Sequence, residues 1–257
     1  MKEMVTLREK FQLGDRGVIS LVGAGGKTTL MFTLARELAR LGEPVLTTTT
    51  TKIFMPSREQ SANVIITPHP EKLIKKALEF SKRDAYLTAA EGYLAGQGKL
   101  TGFEPEAINQ LWETGLFRWI LVEADGAARK PLKAPALHEP VIPSCSGWLV
   151  AVAGLDAVGK PLDDQWIFRA GLYSQITGLP LGEPITEESV ATVILDEQGL
   201  MKGGPPQAKR FVFLNKADDE RLFKVGQRIR SIITKRTSGK LEKVIIGALE
   251  SEPLLIE

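Results

Sequence analysis

The chain is expected to fold as an α/β protein, a mostly parallel sheet flanked by helices. Two patterns point there. Short apolar runs of strand length alternate with segments whose apolar residues recur every three or four positions. A glycine-rich turn, Gly23 to Gly26, joins the first such run to the first helical segment. The chain's 257 residues, 43% hydrophobic and 25% charged, permit a sizeable buried core.

Val18 to Val22 is apolar on both faces and suits a strand inside a parallel sheet. Leu30, Leu34, Leu38 and Leu41, with Met31 and Ala35 beside them, mark a helix that Gly42 and Pro44 stop. Pro44 to Thr48 reads as a second strand, and Leu73, Ile74, Ala77 and Leu78 as another helix. Trp119 to Val122, Trp148 to Ala153, Phe211 to Leu214 and Val244 to Ile246 read as further buried strands. Between the last two, Leu222, Val225, Ile229, Ile232 and Ile233 form a helical stripe. Gly92 to Gly102 reads as a loop or a bent hairpin. Asp125 to Gly147 carries Pro131, Pro135, Pro140 and Pro143, so it can be neither regular helix nor central strand. One domain over residues 1–257 is the expectation, with 154–204 a candidate small subdomain. The tryptophans Trp112, Trp119, Trp148 and Trp166 suit core or interface positions better than a stacking platform.

Charge narrows the partners. With 33 basic and 31 acidic side chains the net charge is +2, which gives no reason to expect nucleic acid. The one cysteine, Cys145, allows no intrachain disulfide and fits a reducing compartment. No Cys or His neighbours it, so it reads as a buried or loop thiol rather than a nucleophile. His69 and His138 are isolated too, which argues against a His/Cys metal cage. Met1 to Arg16 has no apolar leader segment, and Trp148 to Leu155 is too short to cross a bilayer. A cytoplasmic protein without a membrane anchor is the expectation.

The phosphate-binding segment is Gly23-Ala24-Gly25-Gly26-Lys27-Thr28-Thr29. Glycines let backbone N–H groups face a phosphate without a Cβ in the way. The helix that follows adds free N–H groups and a positive dipole end. Lys27 can reach the outer phosphates of a nucleotide, and the Thr28 hydroxyl can ligate Mg²⁺. This implies the three-layer architecture of P-loop NTPases. Leu21 stands where the general pattern has its first glycine, so the loop is expected to wrap a phosphate differently.

Downstream, Glu123 and Asp125 end a buried strand, where either carboxylate could hold Mg²⁺ or orient a water. Lys27, Glu123 and Asp125 are the candidate catalytic residues, and Thr28, Glu123 and Asp125 the candidate metal ligands. Asn215-Lys216-Ala217-Asp218 follows another strand. Asp218 there could accept two hydrogen bonds from guanine, with Lys216 along the base and Asn215 bracing the loop. Equally, Asp218 could cap the next helix. Thr47 to Thr51 followed by Lys52 suits a plain strand or a switch-like segment near phosphates. Arg129, Lys130 and Lys133 are either a solvated loop or, with Lys52, a site for an anionic substrate.

Taken together, Val22 to Thr29, Thr48 to Lys52, Val122 to Ala127, Lys130 to Pro135 and Leu214 to Asp218 resemble the YqeC family, accessory proteins for selenium-dependent molybdenum hydroxylases. The resemblance implies a role in maturing a selenium-containing molybdenum cofactor, with a molybdenum hydroxylase or a cofactor-assembly protein as partner. The motif order is more distantly similar to the metallocentre-assembly GTPases of hydrogenase and urease, though no Cys/His nickel site is evident. The leading expectation is a Mg²⁺-dependent NTPase, GTP favoured over ATP, acting as a maturation factor and able to form a homodimer across the nucleotide face. The alternatives are a small-molecule kinase or ligase acting on an anionic acceptor, and a non-catalytic carrier of a nucleotide or cofactor.

Overall fold

The computed structural model describes residues 6–80, 86–237, 239, 241–251 and 255–257. Met1 to Val5, the start of the segment read for a leader, lie outside the described residues. The chain opens with helix α1 (Leu7–Lys10), β1 (Gly17–Gly23), α2 (Lys27–Arg40), β2 (Val45–Thr49), β3 (Lys52–Phe54) and β4 (Val64–Ile66). Then come α3 (Pro70–Phe80), β5 (Tyr86–Ala90), β6 (Gly92–Leu94), β7 (Lys99–Thr101), α4 (Pro105–Glu113), β8 (Trp119–Glu123) and β9 (Leu132–Lys133). The last part holds β10 (Trp148–Gly154), β11 (Ile167–Phe168), α5 (Ala170–Thr177), α6 (Glu187–Leu195), β12 (Lys209–Asn215), α7 (Glu220–Arg236), β13 (Lys243–Ala248) and β14 (Leu255–Ile256).

The central sheet has the order β14-β13-β12-β10-β1-β8-β2-β5-β4. Its pairings are parallel except for β14, which lies antiparallel on β13. Buried strands that are apolar on both faces require cover on both. On one face, Ile19, Leu21, Leu121, Val150 and Phe213 pack against Leu30, Leu34 and Leu38 of α2 and against Leu7 and Phe11 at α1. On the other, Val18, Leu46, Ile120 and Val122 pack against α3 and α4. Further along that face, Ala151, Ala153, Val212 and Leu214 pack against α5, α6 and α7. The result is a three-layer architecture, a mostly parallel sheet between two layers of helices.

The segments read as strands from apolar runs are strands; five of the six are longer by one to three residues, and Pro44 to Thr48 is shifted by one. The helical stripe overshoots at Leu41 and Leu78, 61% and 48% exposed. Gly92 to Gly102 is the hairpin β6–β7, which β3 extends into a small three-stranded sheet. Residues 154–204 contribute Ile167, Tyr173, Val190 and Ile194 to the same buried cluster as the sheet and α7.

Because β1, β2, β8, β10 and β12 run parallel, their carboxyl ends share one edge. The register sets Glu123 beside Leu21 and Thr49, and Gly154 beside Asn215. Five distant sequence segments therefore end within reach of one another. Phe11 pins the N-terminal helix to this body, edge-on to Phe211 with centroids 5.6 Å apart. Phe11→Ala would leave a cavity under α1 and is expected to cost about 3–5 kcal/mol. Urea unfolding should show a lower midpoint with an unchanged slope.

Candidate functional site

Strand β1 runs through Gly23, so only Ala24, Gly25 and Gly26 separate it from α2. Leu21 is a buried strand residue rather than part of the turn. The turn is locked from outside. Ala24 N–H donates to the Val152 carbonyl (2.9 Å) and Gly25 N–H to the Lys130 carbonyl (3.1 Å). The Asn215 amide donates to the Gly25 carbonyl at 2.8 Å. Gly26 has φ 126°, and a Cβ there would lie 2.2 Å from the Asn215 amide nitrogen. Only glycine meets both demands. The N–H groups of Gly26, Lys27, Thr28 and Thr29 have no partner among the described residues. These four residues line a cavity at the positive end of a 14-residue helix.

The Lys27 amine is buried, donates to the Gly23 carbonyl at 2.6 Å, and lies 3.1 Å from Asp125 Oδ1 and 3.6 Å from Glu123 Oε1. Burial alone would lower its pKa, but Asp125 and then Glu123 outweigh that and hold it above the ordinary lysine value. Lys27 is therefore charged. At Glu123 burial dominates and raises the pKa against the opposing pull of Lys27 and Thr28. The Thr28 hydroxyl donates to Glu123 Oε2 at 2.7 Å.

The two carboxylates at the end of β8 part company. Glu123 lines the cavity above the loop, whereas Asp125 is fully buried. Asp125 accepts the Gly23 N–H at 3.0 Å and lies 3.0 Å from the Lys133 amine. Lys133 is itself fully buried and also donates to the Gly126 carbonyl and to Glu139, both at 2.6 Å. Read from sequence as an anion-binding residue, Lys133 instead lies beneath the site. The pairing of β9 with β11 draws it under, with Leu132 opposite Ile167 and Lys133 opposite Phe168.

The cavity has a volume of about 840 Å³. Besides the loop and Glu123 it is lined by Thr50, Thr51, Lys52, Arg129, Lys130 and Lys216. The Thr47, Thr48 and Thr49 hydroxyls are spent inside, on Thr88, the Ala89 carbonyl and the Glu123 carbonyl. The run thus divides into sheet hydroxyls and cavity wall. Lys216 pairs with Asp156 at 2.7 Å. Asp218 lies instead in a separate cavity of about 360 Å³ with Phe223, Ile246 and Gly247. Nor is it the cap of α7: Asp219 accepts the Leu222 N–H at 2.7 Å. Sequence reasoning missed Phe54, Lys99, Glu139 and Arg169, which also line the loop cavity. None carries a local signal, because each arrives by a strand pairing or a cross-loop ion pair. Cys145 lies elsewhere, and burial pushes its thiol up to about 11, so it is protonated and unreactive at neutral pH.

A relative from Escherichia coli (strain K12), the protein YqeC, is 37% identical over 199 residues, spanning 77% of this chain and 75% of that one. The model of the YqeC protein family matches residues 19–171. The chain belongs to the YqeC family. That span holds the loop, Glu123, Asp125 and the Lys133–Glu139–Arg169 group, but not Asn215 to Asp218. Among solved structures, the chain aligns with the MinC:MinD cell division protein complex of Aquifex aeolicus at 15% identity and a TM-score of 0.47, over 92% of this chain and 83% of that one. It also aligns with FtsY from Mycoplasma mycoides at 13% identity and a TM-score of 0.45, over 100% and 68%. No described helix of this YqeC-family chain is long and apolar enough to cross a membrane.

Glu139 holds the outer end of the charge cluster. Burial would raise its pKa, but Arg169 (2.6 and 3.1 Å) and Lys133 override this and hold it at about 2, below the ordinary 4.5. A depressed carboxyl pKa contributes stability that is complete above the unfolded value and is lost as pH falls toward the folded one. Glu139→Gln is therefore expected to lower stability by about 2 kcal/mol near neutral pH. The gap from wild type should narrow between pH 4.5 and pH 2. Denaturant titrations at stepped pH would check this; a gap independent of pH would contradict it.

Proposed function

We propose that this chain is a Mg²⁺-dependent nucleotide-binding protein, an NTPase, with Gly23 to Thr29 as its phosphate site. The observation that carries the reading is the set of four N–H groups at Gly26 to Thr29, unpartnered among the described residues, around a charged, buried Lys27. Such donors have no structural use in the loop, and they suit the anionic oxygens of a polyphosphate. Lys27 would exchange the Gly23 carbonyl and Glu123 for phosphate oxygens and stabilise the charge that grows on them during transfer. Asp125 would keep Lys27 protonated and aimed.

The donor set beside the loop suits Mg²⁺. Thr28 and Glu123 present adjacent oxygens 2.7 Å apart at the cavity wall, the hard ligands that ion prefers. They are the residues that would hold it, and bound Mg²⁺ supplies charge neutralisation at phosphate oxygens. Asp125, already committed to two lysines and a backbone N–H, is left out of that set. Glu123 is also the group to orient an attacking water.

Preference for GTP over ATP rests on Asn215-Lys216-Ala217-Asp218, of which Lys216 reaches the loop cavity and Asp218 the neighbouring one. The physiological role, as a cytoplasmic accessory or maturation factor for a selenium-dependent molybdenum hydroxylase, rests on the family. The target enzyme, a cofactor-assembly protein or a second copy of the chain would approach from the cavity's open side.

Titration with GTP and ATP, with and without Mg²⁺, tests the reading. Binding should need Mg²⁺ and fall by about 100-fold, near 3 kcal/mol, in Lys27→Ala. Asp218→Ala should erase any GTP preference. Failure of both nucleotides to bind at millimolar concentration would sink the proposal.

A further inference from the structure

One wall of the loop cavity is not explained by a nucleotide. Lys52 and Phe54 alternate along β3 and so share a face, and the register sets Lys99 of β7 directly opposite Phe54. The Lys99 amine lies 5.0 Å from the Phe54 ring centroid, and the Arg129 guanidinium stacks over that ring at 3.9 Å. Phe54 is 41% exposed. All four residues line the cavity.

The cations of this wall differ from the others in the site. Lys27, Arg169 and Lys216 each have a carboxylate within 4 Å, and Lys130 donates to the Gln165 carbonyl at 3.0 Å. Lys52, Lys99 and Arg129 have no carboxylate partner among the described residues. Lys99 and Arg129 share one ring and Lys52 lies on the same strand face, so the mutual repulsion of these like charges favours an anion among them.

Arg129 adds a second, independent observation. Its φ is +60° and that of Ala128 is +47°, a conformation that glycine adopts freely and L residues do not. The next residue, Lys130, accepts the Gly25 N–H through its carbonyl, so this strained turn is tied to the phosphate loop. A side chain kept where glycine would be more stable points to a ligand for that side chain.

We propose that Lys52, Phe54, Lys99 and Arg129 form the subsite for a second small molecule, one bearing a phosphate or carboxylate group, held across the cavity from the phosphate loop. The proposal rests on the nucleotide reading for what occupies the opposite wall. The second ligand's anionic group sits among the three cations, and Phe54 provides the apolar floor beside it.

The test is calorimetric titration of the full chain, saturated with Mg²⁺ and a non-hydrolysable nucleotide. Glycerol 3-phosphate serves as the phosphate probe and succinate as the carboxylate probe. At least one should bind with a Kd in the millimolar range or tighter. The double variant Lys52→Gln/Lys99→Gln should weaken that probe at least about tenfold while nucleotide affinity stays within about twofold. Arg129→Gly should weaken the probe similarly without lowering Tm, because glycine relieves the backbone; a structural arginine would lower Tm. The proposal is overturned if neither probe binds at about 10 mM, or if the double variant keeps full probe affinity. It is equally overturned if nucleotide affinity falls in step, because the cations then serve the nucleotide. Should no nucleotide bind, the probes are titrated against the nucleotide-free protein. Loss in the double variant but not in Lys27→Ala upholds the subsite although the nucleotide reading has failed; equal loss in both overturns the subsite as well.

Discussion

The carboxylate of Asp125 has no exposure to water, and a buried charge survives only when it is paired and hydrogen-bonded. Its partners come from three places: the Gly23 N–H at the end of β1, Lys27 at the start of α2, and Lys133 in the proline-rich segment. Lys133 passes the requirement on to Glu139, and Glu139 to Arg169 at the head of α5. Removing one partner of a fully buried pair such as Asp125–Lys133 typically costs about 3–5 kcal/mol because the other charge stays buried. The alternating row of charges therefore fixes the loop, the strand end and the covering segment as one unit. It also leaves Glu123 free to face the cavity.

Rigidity of this kind can hold backbone strain. Among the described residues, five that are not glycine have positive φ, and four of them, Ala128, Arg129, Arg169 and Lys216, line the cavity. Arg169 starts α5 from the left-handed region without a side-chain cap, but its guanidinium is clamped by Glu139 and stacks on Phe168 at 4.2 Å. Lys216 is held by Asp156. Conformations that cost free energy persist where surrounding contacts over-determine them. Here those contacts converge on the edge where the parallel strands end, the place where open α/β sheets bind ligands.

Much of this was legible in the order of residues. The phosphate loop could be read because its chemistry is local: glycines, then lysine and threonine, between an apolar run and a helical stripe. Six of the nine strands of the central sheet were legible for the same reason, since burial on both faces leaves an unbroken apolar run, whereas β4, β5 and β14 were not. Lys133 was not legible. A lysine between prolines looks solvated, and only the β9–β11 pairing shows that it is buried. Asp218 and Asp219 are one residue apart with the same chemistry, so sequence could not say which would cap α7.

Local order alone specifies the α/β class, the expectation of a parallel sheet and the glycine loop, because each is written in a residue pattern only a few positions long. Which charged groups face the cavity and which lie beneath it is set by the packing of the whole fold. Those choices depend on partners far apart in the chain. Gly23 meets Asp125 across 102 positions, and Asn215 meets Gly25 across 190. Pairings of that range follow from the order and register of the strands, and no local pattern carries that information.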